Sequence, residues 1–193
     1  MKLIIASGNR HKVREIREIL GGAFEEILSM TEAGIDHDTV EDGTTFLENA
    51  RKKAREIMEI SGCAAIADDS GICVPALDGA PGVYSARYCG RHGDDEENNR
   101  LLLKNMAGKT DRRAYYTCAM VIAYPDGHTK EAEGYMHGTL RYEGRGTGGF
   151  GYDPLFVPEG GEKTLAEYTA EEKNAISHRA SALRQLLSIL DEA

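Results

Sequence analysis

This chain lacks the features that would assign several large classes at once. No apolar run approaches the ~18 residues that a membrane-crossing helix needs, and the opening Met1-Lys2-Leu3-Ile4-Ile5-Ala6 is too short for a signal peptide. The expected location is therefore cytoplasmic, with no membrane partner. Cysteine is sparse: Cys63, Cys73, Cys89 and Cys118 form no C-x-x-C pair and no zinc-like spacing, so reduced, partly buried thiols are expected. Positive charge is in deficit, with a net charge of −9. That argues against the broad basic face a duplex-binding protein needs, so no nucleic-acid partner is expected. A small anion remains compatible, because local lysines, helix N-termini and Mg²⁺ can hold phosphate inside an acidic protein. Repeats, linkers, low-complexity segments and the G-x-x-x-x-G-K-[ST] phosphate loop are also absent.

What is present is an ordinary globular composition, 41% hydrophobic and 28% charged in 193 residues, enough for a single domain. The chain opens strand, turn, helix. Lys2–Ala6 reads as a strand, Ser7-Gly8-Asn9 as a turn, and Val13, Ile16, Ile19 and Leu20 recur at helical spacing before Gly21-Gly22. Thr45 and Glu48 have capping-box spacing and start a second helix whose apolar face is Phe46, Ala50, Ala54 and Ile57. Asp94-Asp95-Glu96-Glu97 opens a third helix. Tyr115–Tyr124 is β-rich, and Pro125-Asp126-Gly127 should turn it back antiparallel over 128–137. Thr169 and Glu172 form another capping box, ahead of one amphipathic helix carrying Ile176, Ala180, Leu183, Leu187 and Leu190. Early strand–helix alternation with a late hairpin predicts an α/β fold with a mixed sheet.

Chemistry concentrates in a few places. Cys63–Ala67 reads as a buried strand that ends in Asp68-Asp69, followed by a Gly- and Pro-rich functional loop over 70–93. Burying a carboxylate costs several kcal/mol without compensation, so two in a row point to a cation or a polarised water. Adjacent strand residues face opposite ways, however, so both serve one site only if the strand has already ended. Ser7, Gly8, Asn9, Arg10, His11 and Lys12 lie at a strand-to-helix junction suited to anions, or form a plain Asn9 cap. Glu41, Glu48, Asn49, Lys52 and Lys53 surround the second helix, where Glu48 and Lys52 can pair at i,i+4. Gly144–Asp153 joins five glycines to Phe150, Tyr152 and Asp153, offering rings that stack on a base and an acid that accepts from a base edge. Lys173, Ser177, His178 and Arg179 cluster before the last helix, where donors would prefer a 6-oxo purine over adenine.

Together these segments resemble the inosine triphosphate pyrophosphatase family, the dITP/XTP pyrophosphatases. The matching stretches are Ser7-Gly8-Asn9 with Lys12, Thr45-Phe46-Leu47-Glu48-Asn49-Ala50 with Lys53, Ala67-Asp68-Asp69-Ser70-Gly71, Ala80–Tyr88, Gly148–Pro154, and Glu171-Glu172-Lys173 with Ser177-His178-Arg179. They come in the family's order over nearly the whole chain. Ser7 stands where the family often has Thr, and Arg10-His11 is unusually basic; neither removes a needed group.

The resemblance implies an elongated mixed α/β fold with two lobes around a central substrate cleft, a homodimer, and Mg²⁺-dependent hydrolysis of a purine nucleoside triphosphate to monophosphate and pyrophosphate. It implies Asp69 as catalytic acid and metal ligand, and Glu41 as a second metal ligand. Ser7 to Lys12 and Lys53 would bind the triphosphate. Ser70, Phe150, Gly151, Tyr152, Asp153, Lys173, His178 and Arg179 would meet the rest of the substrate. An Asp of ordinary pKa, near ~3.9, is a weak base, so metal acidification of the water is expected to be required. The competing readings are a non-hydrolysing nucleotide sensor, a pyrophosphatase for modified pyrimidines, and a nucleic-acid-binding module.

Overall fold

The computed structural model describes residues 1–191. Strands and helices alternate over the first 73 residues: β1 (Lys2–Ile5), α1 (Arg10–Leu20), β2 (Glu26–Ser29), α2 (Phe46–Ser61) and β3 (Ala64–Cys73). Then come α3 (Asp95–Asn105), β4 (Arg113–Ala123), β5 (Thr129–Leu140), β6 (Phe156–Pro158), α4 (Ala170–Ile176) and α5 (His178–Asp191), with short 3₁₀ turns at Pro75–Leu77, Gly82–Arg87 and Leu165–Glu167. The six strands form one sheet in the order β2-β1-β3-β4-β5-β6. β1 runs parallel to both β2 and β3, while β5 and β6 are antiparallel, so the sheet is mixed as expected.

The described residues divide into two compact units. The first holds Met1–Asp69, Cys118–Gly134 and the chain from Arg179 onward; the second holds Ser70–Thr117 and Tyr135–His178.

In the first unit, strand alternation sorts side chains to two faces. Leu3, Ile5, Ala64, Ile66, Cys118, Met120 and Ile122 pack with Val13, Ile16 and Leu20 of α1 and with Leu183 and Leu186 of α5. Ile4, Ala6, Ala65, Ala67, Ala119, Val121 and Ala123 pack with Ala50, Ala54 and Ile57 of α2. The α2 face is largely alanine. Short side chains on both surfaces let the helix approach the strands closely, which brings its polar residues within reach of the acids on β3. In the second unit, Leu102, Met106, Tyr116, Tyr152, Leu155 and Phe156 lead a separate core.

Residues 26–29 form a strand that the pattern did not announce. Three expectations needed correction. Asp68-Asp69 does not end a strand, because β3 continues to Cys73 and absorbs the start of the supposed loop. Lys52 pairs with Asp42 at 2.7 Å instead of with Glu48, whose carboxylate is already committed to Thr44 and Thr45. The single C-terminal helix is two: Ser177, with φ −66° and ψ 149°, breaks it, and Ile176 is exposed instead of lying on the apolar face.

Candidate functional site

In the first unit the local sequence gathers charged side chains around the end of β1 and the start of α1. Asn9 caps α1 by accepting from the backbone of His11 at 2.9 Å and Lys12 at 3.4 Å, and the Ser7 hydroxyl accepts from Asn9 N–H at 3.1 Å. The structural reading of this loop therefore holds, and it leaves Gly8, Asn9, Arg10 and His11 exposed at a helix N-terminus. Lys12, one turn into α1, turns inward. Its Nζ donates to both oxygens of Asp68, at 3.0 and 2.8 Å.

Because β3 runs on, Asp68 and Asp69 project from opposite faces of the strand. Asp68 follows Ala64 and Ile66 to the α1–α5 side, where Arg179 Nε donates to it at 3.4 Å and Arg179 Nη1 to Glu15 at 3.5 Å. Burial works to raise the pKa of Asp68, but Lys12, Arg179 and Lys53 outweigh it and hold the carboxyl well below its usual range. The thiol of Cys118, 3.9 Å from Asp68, is pushed up by burial and by that negative charge, so it stays protonated.

Asp69 follows Ala65 and Ala67 to the α2 side. There Asn49 Nδ2 donates to its Oδ2 at 2.9 Å. Burial, joined by the charges of Glu41 and Asp68, raises its pKa to about 6 against the pull of Asn49 and Lys53. The ordinary weak base expected from sequence is therefore a carboxylate poised near neutrality. Lys53, one turn after Asn49, bridges Glu41 at 2.7 Å and the Asp68 carbonyl at 2.8 Å. Burial depresses its pKa, but Asp68 and Glu41 carry it above the usual value, so it remains an ammonium. A cleft of about 380 Å³ within this unit is lined by Ser7, Gly8, Glu41 and Lys53, with Asp36 and Asp38 on its wall. Among the described residues no group of three or more His, Cys, Asp or Glu is arranged to hold a metal. Two carboxylates, Glu41 and Asp69, are the donors that could share a cation, and hard oxygen ligands of that number suit Mg²⁺ completed by phosphate and water.

The second unit holds the remaining candidates. Asp153 is buried and accepts from Phe150 N–H at 3.0 Å, from Tyr116 OH at 3.3 Å and from Lys173 Nζ. Gly149 has φ +69°, and a Cβ there would fall 2.1 Å from Asp153 Oδ2, so this position needs glycine on both counts. Gly151 is held at both ends, by Asp95 Oδ2 on its N–H at 2.7 Å and by Asn99 Nδ2 on its carbonyl at 2.8 Å. The two aromatics of the loop part company. Tyr152 is buried and donates to the Ser85 carbonyl at 2.7 Å, whereas Phe150 is 60% exposed with Lys173 Nζ 4.2 Å from its ring centroid. Of the two, only Phe150 exposes its ring, and Asp153 anchors the loop. His178 is buried and stacks on Tyr116 at 5.0 Å between centroids. Burial, then Asp153, keeps the Tyr116 hydroxyl protonated as a donor. Ser70 is half-buried on β3.

Lys173, His178 and Arg179 thus reach three different partners despite their closeness in sequence: Asp153, Tyr116 and Asp68. Sequence reasoning missed Glu15 and Tyr116, which have no local signal. It quoted Asn49 without giving it a role, although an Asn beside Ala50 on the apolar face of a helix is itself a signal.

A profile of the Ham1 family matches residues 3–189. The chain belongs to the Ham1 family. It is 47% identical to a Streptomyces coelicolor protein named dITP/XTP pyrophosphatase, over 99% of this chain and 98% of that one. A Clostridium perfringens protein of the same name is 49% identical, with 96% and 95% covered. The solved structure of the Staphylococcus aureus Ham1 protein superposes with a TM-score of 0.92 at 37% identity, covering 100% of this chain and 99% of that one. A Mycobacterium abscessus structure described as a nucleoside-triphosphatase and dITP/XTP pyrophosphatase gives 0.83 at 43% identity, with 97% and 99% covered. The mixed α/β sheet with flanking helices is therefore the Ham1 fold, and the two clusters described above are this Ham1 chain's candidate site residues.

Proposed function

We propose that this chain hydrolyses deaminated purine nucleoside triphosphates, ITP, dITP and XTP, to the monophosphate and pyrophosphate. The curated relatives' name supplies the substrate class. The observation that carries the chemistry is Asp69, a buried carboxylate raised to about 6 in a unit that also presents Lys12 and Lys53. Asp69 holds the attacking water in line with the α-phosphorus and accepts its proton, a task suited to a group near neutrality. Lys12 and Lys53 stabilise the negative charge gathered by the departing pyrophosphate. The exposed loop Ser7 to His11 holds the triphosphate through backbone N–H groups and side chains. Glu41 and Asp69 are the residues that would hold Mg²⁺. When bound, Mg²⁺ supplies positive charge against the phosphate oxygens and acidity to nearby water.

For the base, Phe150 offers the stacking face, and Lys173 and His178 offer donors to the 6-oxo group, with Gly151, Tyr152, Asp153 and Ser70 shaping the loop and strand around them. Adenine would leave such donors unpaired, at ~1–3 kcal/mol for each buried group. The pairing of Arg179 with Asp68 and Glu15 supports a part in the charge balance around Lys12 over one at the base. A homodimer and a cytoplasmic location belong to the same reading.

The test is pyrophosphate release from ITP, dITP, XTP, dATP and dGTP, with Mg²⁺ and with EDTA. The expected result is at least a tenfold higher kcat/KM for the three deaminated nucleotides, lost in EDTA. Equal turnover of dATP would overturn the substrate class.

A further inference from the structure

We propose that Asn49 is a positioning residue that sets Asp69 and the Glu41–Gly43 segment at one fixed spacing; the inference rests on the pyrophosphohydrolase reading above. Asn49 is fully buried on α2. Its Oδ1 accepts from Gly43 N–H at 2.8 Å, and its Nδ2 donates to Asp69 Oδ2 at 2.9 Å. Only one amide orientation satisfies both partners, since the Gly43 N–H must meet oxygen and the carboxylate must meet nitrogen. The side chain is therefore a two-ended strut between a loop and a strand.

The strut matters because the carboxylate's own torsion does not fix it. The terminal χ of Asp is broad, so Asp69 needs an outside partner to hold its plane. Lys53 makes a second, parallel tie one helical turn away, from Glu41 to the Asp68 carbonyl. The 41–43 segment is thus fastened to the acid step of β3 twice, both times through α2. Gly43 shows how tight the arrangement is: a Cβ there would lie 2.6 Å from Asn49 Oδ1 and 2.9 Å from Glu48 Cβ. A side chain at 43 and the strut at 49 cannot coexist without movement.

The experiment uses the full chain. Mn²⁺ binding to the free protein is measured by water-proton relaxation, and dITP turnover is measured at saturating Mg²⁺, for Asn49→Ala and Gly43→Ala. Each variant is expected to weaken Mn²⁺ binding about tenfold or more and lower kcat about 10- to 100-fold, with KM for dITP within about threefold of wild type. Arg51→Ala is the stability control. Arg51 sits on the same helix but bridges Glu131 at 2.7 Å, so its loss should lower Tm while leaving Mn²⁺ affinity and kcat within about twofold. If Asn49→Ala does not fold, Gly43→Ala, which keeps the amide but displaces it, decides alone. Wild-type-like Mn²⁺ affinity and kcat in the folded variants, or losses no larger than those of Arg51→Ala, overturn the inference. A wild-type protein that releases no pyrophosphate from any deaminated nucleotide sinks the functional reading instead, and the Mn²⁺ titration still judges the strut.

Discussion

Asp68 and Asp69 are adjacent, both buried, and opposite in electrostatic fate. Asp68 is surrounded by cations, and its charge is stabilised by more than burial takes away. Asp69 carries a charge that burial and two neighbouring acids oppose. A group kept at a cost in the folded state is a mark of function, since removing it should help folding. Asp69→Asn keeps the shape and still lets Asn49 donate to its side-chain oxygen. It should abolish turnover and, in EDTA at pH 7.5, raise the stability of the chain, on the order of 3 kcal/mol from a shift of this size. Thermal melts of the two proteins under those conditions check this; a lower Tm for the variant contradicts it. Arg179 gives the converse case. Arg179→Ala strips a buried partner from both Asp68 and Glu15, and breaking such a pair costs about 3 kcal/mol. Because its guanidinium faces acids, kcat should fall for ITP and ATP alike. A change of more than twofold in the ITP:ATP ratio of kcat/KM would return Arg179 to the base.

At the scale of elements, the ends of helices and strands carry the testable detail. In α2 the Thr45 hydroxyl accepts from Glu48 N–H at 3.1 Å while Glu48 reaches back to Thr45 N–H. Thr45→Ala should cost about 1 kcal/mol in urea denaturation and leave KM for the nucleotide unchanged. At the end of β2, Glu32 accepts from Ser29 N–H and hydroxyl and from Arg17, which lowers its pKa to about 2. A depressed carboxylate contributes stability above its unfolded pKa, near ~4.5, and loses it as pH falls toward 2. The gap in urea midpoint between wild type and Glu32→Gln should therefore be full at pH 6 and shrink steadily by pH 3. A gap constant over that range would show that the charge of Glu32 does not matter. These elements also show what sequence could and could not reveal. The capping boxes Thr45 with Glu48 and Thr169 with Glu172 were legible because a cap is a local arrangement between residues three apart, although a third, Thr164 with Glu167, was passed over. β2 was not, since an edge strand of four residues half exposed to water has no alternation to detect. The continuation of β3 past Asp68-Asp69 was hidden for a different reason. Two carboxylates look like a strand end until Lys12 from α1 and Asn49 from α2 are in place to receive them. The break at Ser177 was masked by Ile176, whose helical spacing suggested a face that it does not share.

For the whole molecule, the question is how the two units depend on one another along the chain. Neither is a continuous stretch of sequence: the first is assembled from three segments and the second from two. Three strands, β3, β4 and β5, each begin in one unit and finish in the other, so any strand that melts removes residues from both cores. A sheet strand is also cooperative along its length, since each ladder bond helps register the next. We therefore expect one unfolding transition. The sequence makes this measurable in an uncommon way, because it has no tryptophan and nine tyrosines. Tyr116 and Tyr152 report the core of the second unit and Tyr124 that of the first, while far-UV circular dichroism follows helices in both. In urea, tyrosine fluorescence and far-UV signals should give the same midpoint and the same slope. Replacing Tyr124 by Phe, which silences the first unit's reporter, should leave the shape of the remaining fluorescence transition unchanged apart from amplitude. Two resolved midpoints, or a fluorescence curve whose midpoint moves away from the dichroism curve in that variant, would mean that the units unfold independently despite the strands they share.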